Sequence, residues 1–277
     1  AAGVPVIVSM ENWVHPARPK GPRAIKHWLK ERLIIALDRR SQAIIAESKP
    51  FITEKRRLGL RTRCALIPPP LDLEVFLHGR SVLPLAEALK EPRRPRLGYL
   101  GRLAPEKGGR YAIEALARVI EEYPQAELVF VGNGPEEECL RDLAASRGLQ
   151  DRVTFRGYRE DVCGELCRLD ILMVPSLQES YPFVFLEAMT VGLPIVATRT
   201  VGAFEVLPEE QQRDLVDPAD AAGLADKVLK LLRDPECARA QGAALRRQAA
   251  AIGSQEHFIR SHDMLYRELM AAHVAAS

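Results

Sequence analysis

Residues 170–197 constrain this chain more than any other stretch. DILMVP at 170–175 is an apolar run of strand length, bounded by turn residues. Glu179 follows it, then Pro182, then an apolar run entering a helix that Gly192 and Pro194 stop. Ile195, Val196 and Ala197 begin a second strand. Glu179 therefore falls on the loop at the carboxyl end of a parallel strand, the edge of an open α/β sheet where ligands bind. Glu187, with seven residues between it and Glu179, stands one turn into the helix. The helix N-terminus between the two carboxylates offers free N–H groups and a positive dipole end, a seat for phosphate. This spacing suits a ligand with phosphate in its middle and hydroxyls at both ends, a nucleotide sugar. Taken singly, each glutamate also reads as an ordinary helix cap, dipole partner or solvated surface residue.

A second phosphate-type loop lies upstream. RLGYLGRL at 96–103 is a strand running into the loop GRLAPEKGG at 101–109, before a helix over 111–123. Ala112, Ile113, Leu116, Val119 and Ile120 recur at helical spacing and give the inward face. Gly101 and Gly108 permit close backbone approach. Arg102 can fork two phosphate oxygens, and Lys107 supplies a point charge. On a lone loop such residues are as readily just solvated. The strand ELVFV at 127–131 leads into GNGPEEE. Gly132 and Gly134 do not complete a dinucleotide fingerprint: Glu137 stands where the third glycine belongs, and three acids there would repel a pyrophosphate. A strand at 153–155 leads to Arg156, Gly157 and Tyr158. Beyond the central stretch come a loop and short helix at 202–205, a strand at 213–216, and helices at 219–232, 237–252 and 257–272. The last carries Phe258, Met264, Leu265 and Leu269 on one side.

The first part of the chain alternates in the same way: a strand at 5–10, an amphipathic helix at 21–40, a short strand at 42–47, a helix capped by Ser48, and a strand at 64–67. The segment IPPPLDLEVF at 67–76 changes character. Its successive prolines form a stiff polyproline-like crossing that cannot be helix or central strand, so a domain boundary is expected here. Residues 77–95 read as a linker. The sequence starts without Met and enters a strand at once, which reads as a chain cut in mid-domain.

Charge is unevenly spread. Residues 18–63 hold 14 Lys or Arg against 4 Asp or Glu, a surplus of +10; the whole chain is +2, so the remainder carries −8. A solvated face over an ordinary core helix accounts for this surplus, and so does an anionic membrane surface held through residues 18–63. Nucleic acid is disfavoured, because aromatic residues are few and not interleaved with the positive charge. The five cysteines, Cys64, Cys139, Cys163, Cys167 and Cys237, are odd in number and lack metal-type spacing, pointing to a reduced, cytoplasmic chain. No apolar stretch approaches the length of a membrane span.

The Glu179/Glu187 pair, the Arg102/Lys107 loop and the Gly132 turn together resemble the retaining glycosyltransferases of family 4. Their signatures are Glu-x7-Glu and Gly-Arg-Leu-x3-Lys-Gly. The passage ending in Asp72 and Phe76 is similar to that family's interdomain crossing. The resemblance implies an α/β chain of GT-B type with a complete Rossmann-like parallel-sheet domain and a truncated first one. The divisions would be residues 1–76 from the acceptor-side domain, the linker 77–95, the donor-binding domain 96–254, and a helix at 255–277 returning to the first domain. It further implies a nucleotide-sugar donor, UDP- or GDP-linked and bound as substrate, so that no cofactor is needed. Glu179, Arg102 and Lys107 would be catalytic. Gly101, Gly132, Gly134, Arg156, Gly157, Ser180, Tyr181, Phe183 and Glu187 would bind the donor, with Glu179 on the sugar and Glu187 on the ribose.

No Asp-x-Asp motif appears, so a catalytic metal is not expected. The acceptor would be a glycan or lipid-linked hydroxyl, and the enzyme cytoplasmic or peripheral on the inner face of the membrane. One departure from the family stands at Pro182, where glycine is usual; proline removes a backbone donor from the phosphate seat. A GT-B nucleotide-sugar epimerase and a non-catalytic nucleotide-sugar binding module remain alternatives. The chain on its own is expected to bind a nucleoside diphosphate through residues 96–207, to transfer no sugar, and to aggregate through its first 67 residues.

Overall fold

The computed structural model describes residues 7–10, 41–46, 48–57, 59–67, 69–71, 73–77, 94–179, 182–252 and 255–276. They fall into two compact units, 1–70 with 254–277, and 71–253. The helix expected over 21–40, most of the basic segment 18–63 and the linker 77–95 lie outside the described residues, wholly or in large part.

In the first unit, β1 (Ile7–Met10), β2 (Ala43–Ala46) and β3 (Arg63–Leu66) form a parallel sheet in that order. Helix α1 (Lys49–Arg57) connects β2 to β3, and the Ser48 hydroxyl accepts from the Phe51 N–H at 3.4 Å, capping it as the sequence predicts. The last helix of the chain belongs to this unit. Its Phe258, Leu265 and Leu269 cover Ala43, Ile45, Ala65 and Ile67, residues of alternating strand positions and therefore of one sheet face. An Arg63–Glu268 ion pair joins that helix to β3.

The second unit opens with a short helix, α2 (Leu73–Leu77), within the segment expected to exclude helix. The prolines end at Pro70, and from Leu71 onward backbone donors are available again. Leu71, Phe76 and Leu77 then pack on the core of this unit. Next come β4 (Arg96–Leu100), α3 (Gly109–Glu122), β5 (Glu127–Val131), α4 (Glu137–Ser146), β6 (Val153–Phe155), α5 (Val162–Leu166), β7 (Ile171–Val174), α6 (Phe183–Thr190) and β8 (Ile195–Ala197). The helices α7 (Val201–Val206), α8 (Glu209–Gln212), α9 (Ala221–Arg233) and α10 (Pro235–Ile252) complete it, and Gln255–Ala276 is α11.

All strands of the second sheet are parallel, in the order β6-β5-β4-β7-β8. Both faces are covered, as parallel crossovers require. Leu97, Tyr99, Leu128, Phe130, Ile171, Met173 and Val196 point into one core, shared with α3, α4 and α9. Their neighbours in the chain, Leu172, Val174, Ile195 and Ala197, point into the other, shared with α5, α6, α7 and α10. Each fully buried aliphatic or aromatic side chain contributes about 1.5–3 kcal/mol, so this two-sided burial, rather than helix propensity, holds the layers together.

One expected strand is absent. At 213–216 only Val216 pairs, through a single parallel bridge to Thr198. Residues 209–212 go into α8 instead, and Pro218 lacks the N–H that a longer ladder would use.

Candidate functional site

The chain winds outward from β4 to β5 and β6, then crosses back to place β7 on the other side of β4. Loops leaving β4 and β7 at their carboxyl ends therefore diverge in chain direction and mark the switch point, the place of the ligand crevice in open α/β sheets. Arg102 and Lys107 occupy the first loop, and Glu179 the second.

The first loop ends in a single 3-10 turn, Pro105–Lys107, closed by Gly108 in the left-handed region at φ 67°. Glycine is required there twice over: a Cβ at Gly108 would lie 2.1 Å from the Pro175 carbonyl oxygen of the second loop. That close approach lets the Glu106 carbonyl accept from the Leu177 N–H at 2.8 Å, stitching the loops together. Lys107, next along, reaches across and donates to the Glu179 carboxylate. The two residues are 72 positions apart in sequence. The Glu179 side chain is 8% exposed and that of Lys107 28%, so this pair is shielded from water on the carboxylate side. The Glu179 backbone is anchored too: its carbonyl accepts from the Gly202 N–H at 2.8 Å, at the start of α7. Arg102 donates to Glu106, four residues on, and remains largely exposed. Glu106 escapes a reading of this loop that looks only for cations, although an acid four residues beyond an arginine is a visible signal.

Helix α6 begins immediately after Pro182, which occupies its N-cap without a side-chain cap. Of its early donors, Phe185 N–H is already bonded to the Pro182 carbonyl at 3.0 Å. Fewer N–H groups are thus open to an anion than the sequence suggests. The helix ends at Thr190 and is closed just beyond it: Gly192 N–H donates to the Met189 carbonyl and Leu193 N–H to that of Ala188, a paired bond pattern that caps its last turn. Glu187 lies between these ends, half-buried, with no side-chain partner among the described residues. Burial pushes its carboxyl up to about 7. An acid raised by desolvation on the helix that follows β7 is a candidate to meet a hydrogen-bonding ligand.

The remaining predicted site residues that the structure describes lie on the loops after β4, β5 and β6 and at the start of α6. A Cβ at Gly101 would meet no atom of the described residues within 4 Å. Gly132 and Gly134 instead turn their missing side chains onto neighbouring backbone. A Cβ at Gly132 would lie 2.0 Å from the Gly101 oxygen, and one at Gly134 would lie 2.2 Å from that of Leu103. Loop packing alone accounts for both glycines. Gly157 bridges to Gly132. Arg156 is held by the buried Glu165 at 3.2 Å, which also binds Arg168 at 3.1 Å. Phe183 opens α6 and is partly exposed. Ser180 and Tyr181 lie outside the described residues. No cluster of metal-ligating side chains occurs among the described residues, and no helix among them is long and apolar enough to cross a membrane.

A cleft of about 190 Å³ between β8, α8, α9 and α10 contains none of these residues. Its Lys227 and Lys230 both bind Asp214. Those ammonium groups are already satisfied, whereas Glu187 has no partner among the described residues, so the chemistry points to the crevice.

The comparisons with known proteins agree on this part of the chain. The family model described as glycosyl transferases group 1 matches residues 94–234. D-inositol 3-phosphate glycosyltransferase of Corynebacterium urealyticum is 33% identical over 221 residues, which is 76% of this chain and 52% of the relative. N-acetyl-alpha-D-glucosaminyl L-malate synthase of Bacillus anthracis is 30% identical over 158 residues, 57% of this chain and 41% of that one. The chain spans about half the length of the curated relatives it matches. Among solved structures, Anabaena HepE, in complex with UDP and glucose, superposes with a TM-score of 0.76 at 21% identity, covering 96% of this chain and 71% of its own. Sucrose-phosphate synthase of Thermosynechococcus elongatus does so with 0.73 at 28% identity, over 88% and 62%. The matched segment holds the whole five-stranded sheet and both loops of the crevice, and by that match, which takes in half of its length, the chain belongs to the group 1 glycosyl transferases, of the GT-B fold.

Proposed function

We propose that this chain carries the donor site of a family 4 glycosyltransferase, which moves a sugar from a UDP- or GDP-linked donor to an acceptor hydroxyl with retention and without a metal. The observation that supports this reading best is the Lys107–Glu179 pair at the switch point, with Glu187, which has no side-chain partner among the described residues, on the helix that follows. The diphosphate lies along the Arg102/Lys107 loop, where two cations offset the charge of the departing group, the part a metal ion plays elsewhere. Glu187 accepts from the ribose hydroxyls, and Glu179 orients the transferred sugar while Lys107 turns to the phosphate. Gly101, Gly132, Gly134, Arg156, Gly157, Ser180, Tyr181 and Phe183 complete the set proposed to bind the donor. Whole-protein chemistry needs an acceptor, a glycan or lipid-linked hydroxyl. An enzyme on the cytoplasmic face, held to anionic lipid through residues 18–63, fits a lipid-linked one.

The test is titration calorimetry of UDP and GDP into the chain and into its Glu187→Ala and Glu179→Ala variants. Loss of nucleoside diphosphate binding only in the Glu187 variant supports the orientation. The reverse pattern overturns it. An epimerase or a non-catalytic binding module would bind the same nucleotides, so a radiolabelled-sugar transfer assay on a protein of the relatives' full length separates them from a transferase.

A further inference from the structure

We infer that Tyr99 is a positioning residue: its phenol, fixed by an aromatic ladder in the core, sets the place of Arg102 in the crevice. The inference rests on the reading of Arg102 as a diphosphate ligand. Tyr99, Phe130 and Phe155 occupy paired positions of β4, β5 and β6. Their rings form a continuous row, with centroids 4.8 Å apart at each step, tilted by 43° at the first and stacked within 7° at the second. Cross-strand aromatic rows of this kind stiffen a sheet locally. The ladder ends at the phenol, which is buried and donates to the main-chain carbonyl of Arg102 at 2.9 Å. Burial, together with the carboxylates of Glu106, Glu179 and Glu136, pushes the phenol well above its ordinary value, so it stays a neutral donor at any working pH. Those three acids stand on the loops after β4, β7 and β5, so the phenol lies where the loops converge.

Arg102 is thus held at both ends. Its carbonyl is fixed from below by Tyr99, and its guanidinium is engaged from the side by Glu106. The exposed guanidinium would otherwise sweep a wide arc on a loop whose glycine, Gly101, has open space beside it. Tyr99 touches no part of a ligand bound in the crevice, and its influence passes through Arg102 alone.

Calorimetry with UDP and with GDP on the full chain, in a double-mutant cycle of Tyr99→Phe and Arg102→Ala, tests this. Tyr99→Phe keeps the ladder and removes only the hydroxyl. The expected result is binding weakened about three- to ten-fold, the size of one hydrogen bond to a neutral group. In the Arg102→Ala background the same substitution is expected to change nothing, which a general loss of fold stability would not produce. An equal loss in both backgrounds overturns the inference, as does unchanged binding by Tyr99→Phe where Arg102→Ala binds more weakly. If Arg102→Ala itself leaves both affinities unchanged, the reading of the loop fails first and takes the inference with it. A Tyr99→Leu variant, which breaks the ladder as well, should weaken binding further and lower the unfolding midpoint. If it binds as well as the unsubstituted chain, the ladder has no part in positioning.

Discussion

Replacing Glu187 by glutamine should stabilise the fold at neutral and alkaline pH while weakening nucleotide binding. The carboxyl is half-buried without a partner among the described residues, and burial raises it from 4.5 to about 7. A shift of that size, at 1.36 kcal/mol per unit, corresponds to about 3 kcal/mol of differential free energy between the two charge states. The sign follows from proton uptake. Between 4.5 and about 7 the folded chain holds a proton on Glu187 that the unfolded chain has released. Stability from this group is therefore full below 4.5, falls as pH rises towards 7, and is flat above. Glutamine cannot ionise. The difference in unfolding free energy between variant and parent should grow by about 3 kcal/mol from pH 4.5 to pH 7.5, read from denaturant midpoints across that range. A ribose diol donating to the carboxylate favours its ionised form, so UDP or GDP binding should release a proton from Glu187 near pH 6.5 and not from the glutamine variant. Calorimetry in two buffers of different ionisation enthalpy reads that proton; the phosphates contribute equally to both proteins and cancel in the comparison. A stability difference that does not vary with pH would refute the burial argument. Equal proton release from both proteins would refute the ribose contact.

Three further outcomes follow from the same geometry. Lys107→Ala should weaken UDP and GDP binding by about 1–3 kcal/mol, the value of a charge-assisted hydrogen bond, and unchanged calorimetric affinities would show that the loop does not seat the diphosphate. Glu179→Ala should leave nucleoside diphosphate affinity intact and lower turnover in a protein of full family length, measured by sugar transfer. Gly108→Ala should lower unfolding free energy by at least about 1–3 kcal/mol, because the residue is left-handed and its Cβ would strike the Pro175 carbonyl; an unaltered denaturant midpoint would show that the two loops do not meet as described.

The sequence was most informative where local chemistry and layer order coincide. The apolar run at 171–174, the helix stop at Gly192 and the restart at Ile195 appear as β7, α6 and β8 with limits within a residue or two of the pattern. The α3 face is equally plain, since Ala112, Ile113, Leu116 and Val119 all lie buried at helical spacing. Reading failed where a residue's state depends on something distant in the chain. Val216 and its neighbours look like a strand by composition, yet only one of them finds a partner. The helix Leu73–Leu77 was masked by the prolines before it. At the site, residue identities were legible and their partners were not. Nothing local reveals that Lys107 meets Glu179 across 72 residues. Nor does anything local show that Gly132 and Gly134 serve the packing of a neighbouring loop, or that Tyr99 ends an aromatic row under Arg102. These are products of strand order, which periodicity along the chain does not encode.

The central claim is that a nucleoside diphosphate lies in the crevice between β4 and β7, with its phosphates on the Arg102/Lys107 loop and its ribose on Glu187. A crystal structure of the chain with UDP or GDP tests this most directly. The account predicts phosphate oxygens within hydrogen-bonding distance of Lys107 Nζ and the Arg102 guanidinium, both ribose hydroxyls on the Glu187 carboxylate, and Glu179 beyond the terminal phosphate. A nucleotide seated in the cleft of Asp214, Lys227 and Lys230, or lying in the crevice with its base at Glu179, would contradict it.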